Sequence, residues 1–387
     1  MNRWMPLGLL LTLPGCTHYD FLAGLVYQQA TFNNDVDILF ITDNSDSMNQ
    51  PAGGENKALS DNFSAFMGTV VEAEETIEDM PHDDLGDAVA VSAYYAANFT
   101  RFIDYRVGMT TTDPTYRGGL VQDTVLTPDT EDIEETFSDL VTYVVEHTGG
   151  GDEQGLTALR LNICRGLSEE QRDNLAGESR PVGCTDMDPT EEGSTSDLYR
   201  REATLMVVLV SDEGDHSVAD GVPNAEVDDY IDFFKDAGVD VVASVIGPTL
   251  KDENGEGVSC NPASSTYNAI NRYSQLVEKT GGLLVPICNP QDPTAPNPDF
   301  ASALGDIGAL VSRLQSRFSL DYTPDISTLV AVVDGEVIPA DPYNGWVYLE
   351  AGGGHFLEFR GASIPFYDAR VEIYYRPIEE GPRDLPF

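Results

Sequence analysis

The stretch "DILFITDNSDSM", residues 37–48, decides how the chain folds. Its apolar run reads as a buried strand that stops abruptly in a polar loop. Asp43, Ser45 and Ser47 stand at alternate positions of that loop, and all three carry small oxygen donors. A second stretch repeats the theme: "LMVVLVSDEGDHS", residues 205–217, runs apolar and then breaks at Ser211 and Asp212. In an open α/β sheet, ligands collect outside the carboxyl ends of the strands. If these two strands are neighbours, two hydroxyls and two carboxylates converge on one crevice. Hard oxygen donors of this kind suit a divalent cation, Mg2+ or Ca2+. The loops read as a cation cup.

Around these two strands, strand and helix patterns alternate from residue 36 to about 315. Leu59, Phe63, Phe66, Met67 and Val70 share one helix face, and Ile133, Phe137, Leu140, Val141 and Val144 share another. Val227, Tyr230, Ile231 and Phe234 follow the same spacing, as do Phe300, Leu304, Ile307, Val311 and Leu314. Further helices are expected near 84–102 and 153–166. "DYRVGMTTT" (104–112), "VDVVASVIG" (239–247) and "LLVPIC" (283–288) read as buried strands, and "GGLVQDTVLT" (118–127) as an edge strand. Near-continuous apolar strands between amphipathic helices predict an α/β fold with a doubly wound, mainly parallel sheet covered by helices. Acidic insertions interrupt it at about 71–103 and at 168–200, the latter read as a loop. After about residue 318 the helices stop. A hairpin over Asp334-Gly335 and short alternating strands predict a small C-terminal all-β module over 317–387, with Trp346 in its core.

Charge separates this chain from an average one. Asp plus Glu number 66 against 21 Lys plus Arg, a formal net charge of −45 over 387 residues. Nucleic acid is therefore not expected as a partner, because its binding rests on phosphate neutralisation. An acidic surface fits solubility in salt or attraction for divalent cations. No Gly-x-Ser-x-Gly elbow is present, and the five histidines show no zinc spacing. Asp215 and His216 read as solvated loop residues. The chain is expected not to be an enzyme; a metal-assisted hydrolase would need Glu153 or Glu213 as its base.

The first 16 residues, "MNRWMPLGLLLTLPGC", place a basic Arg3 before a short apolar stretch. That is the pattern of a secretory signal over 1–15. Leu13-Pro14-Gly15-Cys16 resembles a bacterial lipobox, which implies a lipidated Cys16, a tether over 16–34 and membrane attachment by that lipid alone. The remaining cysteines, Cys164, Cys184, Cys260 and Cys288, form an even set suited to an oxidising compartment. Of three possible connectivities, the local one is expected: Cys164–Cys184 and Cys260–Cys288.

Asp43-Asn44-Ser45-Asp46-Ser47 matches the Asp-x-Ser-x-Ser signature of von Willebrand factor type A domains, at the expected strand end. "TGGGDEQGLTAL" (148–159) resembles their second loop, and "VVLVSDEGD" (207–215) the strand bearing their final Asp. The resemblance spans residues 35–316. It implies that Ser45 and Ser47 coordinate a metal directly, while Asp43 and Asp212 hold metal-bound waters. One position is then left for an acidic side chain of a protein or cell-surface ligand. Two departures stand out. Where the family has a metal-binding Thr, this loop offers Asp152, with Thr148 and Glu153 as alternatives; and Glu213 follows the last Asp in place of Gly. With the lipobox, the chain is similar to envelope lipoproteins of Gram-negative bacteria that carry such domains, which implies an outer-membrane location. A metal-independent structural component of an envelope complex is the alternative.

Overall fold

The computed structural model describes residues 26–31, 35–49, 54–71, 104–147, 153–175, 182–184, 195, 197–200, 203–219, 222–223, 226–248, 250–251, 257–258, 267–289, 292–296, 299–314, 316–351, 354–360, 363–365 and 369–378. Strand β1 is Val26–Thr31 and β2 is Asp35–Thr42. Helices α1 (Glu55–Asp61) and α2 (Phe63–Val71) follow, then β3 (Asp104–Thr111) and the two-residue β4 (Val125–Leu126). Next come α3 (Ile133–Glu146), α4 (Gly155–Gly166) and α5 (Glu169–Leu175), then β5 (Thr204–Val210) and α6 (Val227–Ala237). Strand β6 (Val241–Gly247), α7 (Tyr267–Thr280), β7 (Leu284–Pro286) and α8 (Phe300–Leu314) complete the α/β unit.

The sheet runs β7-β6-β5-β2-β3-β4. All neighbours are parallel except β4, which pairs antiparallel with β3 at the edge. Chain order reverses direction between β2 and β5, the switch point at which ligand crevices form in such sheets. The apolar runs explain the burial: from Val36 onward β2 is buried on both faces, and β6 is buried throughout. Alternate residues of β2 serve opposite layers. Ile38 and Phe40 face α1, α2, α3 and α8, whereas Leu39 and Ile41 face α4, α6 and α7. Phe40 meets Phe63, Phe66 and Phe137 edge-on at centroid distances of 6.0, 5.4 and 5.0 Å, a geometry favoured by the ring quadrupole. On that layer α8 approaches α2 so closely that a β-carbon on Gly308 would meet the Phe66 carbonyl at 2.7 Å.

The C-terminal strands are β8 (Arg317–Leu320), β9 (Pro324–Val333), β10 (Glu336–Ile338), β11 (Trp346–Ala351), β12 (Gly354–Phe359) and β13 (Arg370–Pro377). They form two antiparallel sheets, β1-β13-β9-β10 and β8-β12-β11, around a separate core that includes Trp346, Leu357, Val371 and Tyr375. The β9–β10 hairpin turns over Asp334 and Gly335, both at positive φ (50° and 87°), as the sequence pattern requires.

Three expectations need correction. Residues 26–31, expected within a tether, form β1 and pair along their whole length with β13. The 168–200 insertion is not all loop: Glu169–Leu175 is helical, with Arg172 and Leu175 buried. Strand β7 lies at the sheet edge, and Leu284 is 38% exposed rather than buried. Cys164 on α4 is bonded to Cys184, with Cα atoms 5.7 Å apart, so the insertion is stapled to the helix that precedes it. Cys16, the 84–102 helix, Thr148, Asp152 and the Cys260–Cys288 pair lie outside the described residues. No helix among the described residues is long and apolar enough to cross a membrane.

Candidate metal centre

Four of the expected ligands meet at the β2/β5 switch point. The register pairs Thr42 with Val210, so the loops leaving the two strands start side by side. The backbone N–H of Asp43 donates to the Val210 carbonyl at 2.9 Å and locks that start. A short 3-10 turn, Asp46–Asn49, follows, with Met48 buried beneath it. The Ser45 and Ser47 hydroxyls stand 2.9 Å apart, and the Ser47 hydroxyl donates to Asp212 Oδ1 at 3.1 Å. Asp43 Oδ1 accepts the Ser45 N–H at 2.8 Å and its Oδ2 accepts the Ser211 hydroxyl at 2.7 Å. Further bonds pin the rim: Asn56 Nδ2 donates to the Asp43 carbonyl, and Asn44 Nδ2 to the His147 carbonyl.

Asp43 therefore does more than face the crevice. It is fully buried and orders both loops, so an Ala there would strip the Ser45 N–H of its acceptor and weaken the hold on Ser211 rather than leave the fold untouched.

Glu153, one of the alternatives to Asp152 in the second loop, is brought into the same cleft. The Gln154 N–H donates to the Thr112 carbonyl at 2.9 Å, just beyond β3, which fixes the approach of α4. Glu153 is 1% exposed, and its Oε2 is buried without a hydrogen-bond partner, as are the hydroxyls of Thr42, Thr111 and Thr112 at the same strand ends. Glu213, beside Asp212, adds a further carboxylate.

The electrostatics follow from burial of like charges. Burial pushes Asp212 up to about 7, with Asp43, Glu55 and Glu213 adding repulsion against the bond from Ser47. Burial, then the charges of Asp43 and Glu213, push Glu153 up to about 8. Asp43 and Glu55 are raised for the same first reason. Among the described residues no Lys or Arg forms an ion pair with Asp43, Asp212, Glu153 or Glu213. Buried carboxylates normally pair with a cation or coordinate a metal. Two neutral hydroxyls and a carboxylate pair make a donor set that fits a hard divalent ion.

Behind the cleft, Asp215 overturns the solvated-loop reading. It is 2% exposed; its Oδ1 accepts the Leu156 N–H and the Ser217 hydroxyl, and its Oδ2 lies 2.9 Å from Arg272 Nη1. A lone acid in a polar loop carries no sequence signal for this, since Arg272 lies in a helix far along the chain. The neighbouring His216 is half-buried, not free in solvent.

No family model matches the sequence, and no curated protein does. Solved structures with a similar chain path include the von Willebrand factor type A protein from Catenulispora acidiphila, 11% identical, TM-score 0.35, covering 92% of this chain and 65% of that one. The open form of the pilus adhesin SpaC from Lactobacillus rhamnosus GG is 11% identical, TM-score 0.35, covering 91% of this chain and 40% of that one. Manganese-loaded TRAP protein from Plasmodium vivax is 12% identical, TM-score 0.28, covering 84% and 85%. The chain spans less than two thirds of the length of the first two. This chain's own sheet, mainly parallel with one antiparallel edge strand and helices on both faces, is a doubly wound α/β arrangement. Within that unit, the carboxyl ends of β2 and β5 carry Asp43, Ser45, Ser47 and Asp212, and the loop that precedes α4 contributes Glu153.

Proposed function

We propose that the protein is a cation-dependent binding module rather than an enzyme, exported and held at a bacterial envelope by lipid on Cys16. In this reading Asp43, Ser45, Ser47, Asp152 and Asp212 hold Mg2+ or Ca2+. The ion supplies a point of positive charge in a strongly acidic molecule. An acidic side chain of a protein or cell-surface ligand completes its coordination. The observation that carries the reading is the convergence of Asp43, Asp212, Glu153 and Glu213 at the switch point without a basic partner among the described residues. Such a cluster is self-repelling unless protons or a metal neutralise it.

The extra carboxylates tune the site. Glu153 and Glu213 strengthen attraction for the ion while lowering its net charge, which weakens its pull on an anionic ligand. The test is capture from envelope extracts by the mature full chain in Ca2+, with and without chelator, beside the Ser47→Ala variant. Retention that vanishes on chelation and in the variant is the expected result. Equal retention in all arms would replace the adhesive reading with a metal-independent structural role.

A further inference from the structure

We propose that Glu153, Glu213 and His216 form a second cation site, one that takes a divalent transition ion such as Zn2+ or Mn2+. A carboxylate oxygen of each glutamate and a ring nitrogen of His216 lie within 4.8 Å of one another. For an ion bound at about 2.0–2.2 Å, ligand atoms stand roughly 3.3–4.4 Å apart, so only small side-chain adjustments separate this cluster from coordination.

The scaffold under the cluster is already fixed. Segments 153–157 and 215–217 are zipped together by three bonds. The His216 N–H donates to the Glu153 carbonyl at 2.8 Å, the Leu156 N–H to Asp215 at 3.0 Å, and the Thr157 N–H to the Ser217 hydroxyl at 2.8 Å. Arg272 clamps the same segment from α7 through Asp215 and through the Ser217 carbonyl. A site on such a scaffold loses little entropy when an ion arrives.

An independent observation points to a ligand. Glu153 is almost wholly buried, yet its Oε2 has no hydrogen-bond partner, and one oxygen of the same carboxylate lies in the cluster. Buried carboxylate oxygens left without a partner are rare because desolvation penalises them. Glu213 and His216 are only half-buried, so the cluster opens on its outer side and leaves coordination positions for water or for a ligand. The donor chemistry differs from that of the cup. The cup offers oxygen alone, which suits Mg2+ or Ca2+, whereas one imidazole with two carboxylates suits Zn2+ or Mn2+. Ser47 belongs to the cup alone and His216 to the second cluster alone, so those two residues tell the sites apart.

The experiment uses untagged, chelator-stripped full-length mature chain. Zn2+ affinity is measured by competition with a chromophoric chelator, and Mn2+ coordination by the 14N coupling in pulsed EPR, in wild type, His216→Gln, Glu213→Gln and Ser47→Ala. Wild type should bind Zn2+ and give a nitrogen coupling with Mn2+. Since losing even an outer-shell partner weakens metal sites about 10–100-fold, His216→Gln should weaken Zn2+ at least about tenfold and erase the coupling. Glu213→Gln should weaken Zn2+ similarly, and Ser47→Ala should leave both readouts in place. Circular dichroism confirms that each variant is folded. No Zn2+ binding in wild type, a coupling that survives His216→Gln, or loss of Zn2+ binding in Ser47→Ala would each overturn the second site. The last result would leave a single oxygen-lined site standing.

Discussion

At the amino-terminal edge of the parallel sheet, Asp35, Asp37 and Asp104 gather around one Arg200; at the carboxyl edge, Asp43, Asp212, Glu153 and Glu213 gather around no basic side chain among the described residues. Arg200 Nε contacts Asp37 Oδ1 at 2.8 Å and its Nη1 reaches Asp35 at 3.0 Å and Asp104 at 3.2 Å. Its backbone N–H donates to Asp37 as well, and its Nη2 caps the carbonyls of Val36 and Asp104. Burial still raises Asp37, to about 6, but Arg200 works against it. Without such a partner Asp212 and Glu153 reach about 7 and about 8. The same sheet thus carries acids at both ends. One end contains its own counter-ion; the other requires protons or an ion from solution. A cavity lined by Asp37, Tyr199, Arg200 and Val239 also opens at the amino-terminal end, but with its charges matched it offers a metal nothing.

Removing the built-in cation should give the largest effect. Arg200→Met leaves Asp37 buried and unpaired, and breaking a buried pair in this way costs about 3–5 kcal/mol. Asp35 and Asp104 are more exposed and add little. Urea unfolding measures the loss; a change below about 1 kcal/mol would show that the amino-terminal edge does not depend on Arg200. The segment that delivers Arg200 is itself stapled by Cys164–Cys184, which closes a 20-residue separation. Cys184→Ser should therefore destabilise the protein by about 3 kcal/mol, with near-equal unfolding of reduced wild type as the check.

At the opposite edge the sign of a charge-removing change should invert. Asp212→Asn relieves repulsion, so the metal-free variant should melt above metal-free wild type. It should also lose the stabilisation that a saturating ion confers, about 2.7 kcal/mol at a hundredfold excess over Kd. Paired melting scans with Ca2+ and with chelator decide this; a metal-free variant that melts lower would mean that the hydrogen bond from Ser47 outweighs the repulsion. The same balance should respond to pH. Asp212 and Glu153 hold folded-state pKa values above their unfolded ones, so the metal-free protein binds protons more tightly when folded. That stabilisation is complete below about pH 4 and disappears as pH rises through 7 to 8. Ca2+ competes with those protons, so the melting shift it causes should grow between pH 5 and pH 8. A shift that does not change with pH would contradict the burial of these carboxylates.

The two edges were unequally legible in the sequence. Asp43, Ser45, Ser47 and Asp212 could be read because each follows a long apolar run, and a run that buried must end at the sheet's carboxyl edge. Glu153 could be named only as an alternative, since a Gly-rich stretch does not reveal which carboxylate turns inward. Arg200 escaped notice inside an acidic insertion, although Asp37, a charge within "VDILFI", was a sign that some cation had to reach it. Asp215 was hidden because its partner Arg272 sits on α7. Strand β1 was illegible for a different reason. "VYQQAT" has no apolar run, and its partner β13 lies at the far end of the chain, so only the antiparallel pairing gives it a place. Helix α5, "EEQRDNL", has too few apolar residues to show a helical stripe.

The most direct test of the central claim is calorimetric titration of Ca2+ and Mg2+ into chelator-stripped wild type and Ser47→Ala. Wild type should show a site of millimolar affinity or better, about 4 kcal/mol or more of binding free energy, which weakens or vanishes in the variant while the fold persists. A wild type that takes up neither ion, or that binds both as tightly after Ser47→Ala, would contradict it.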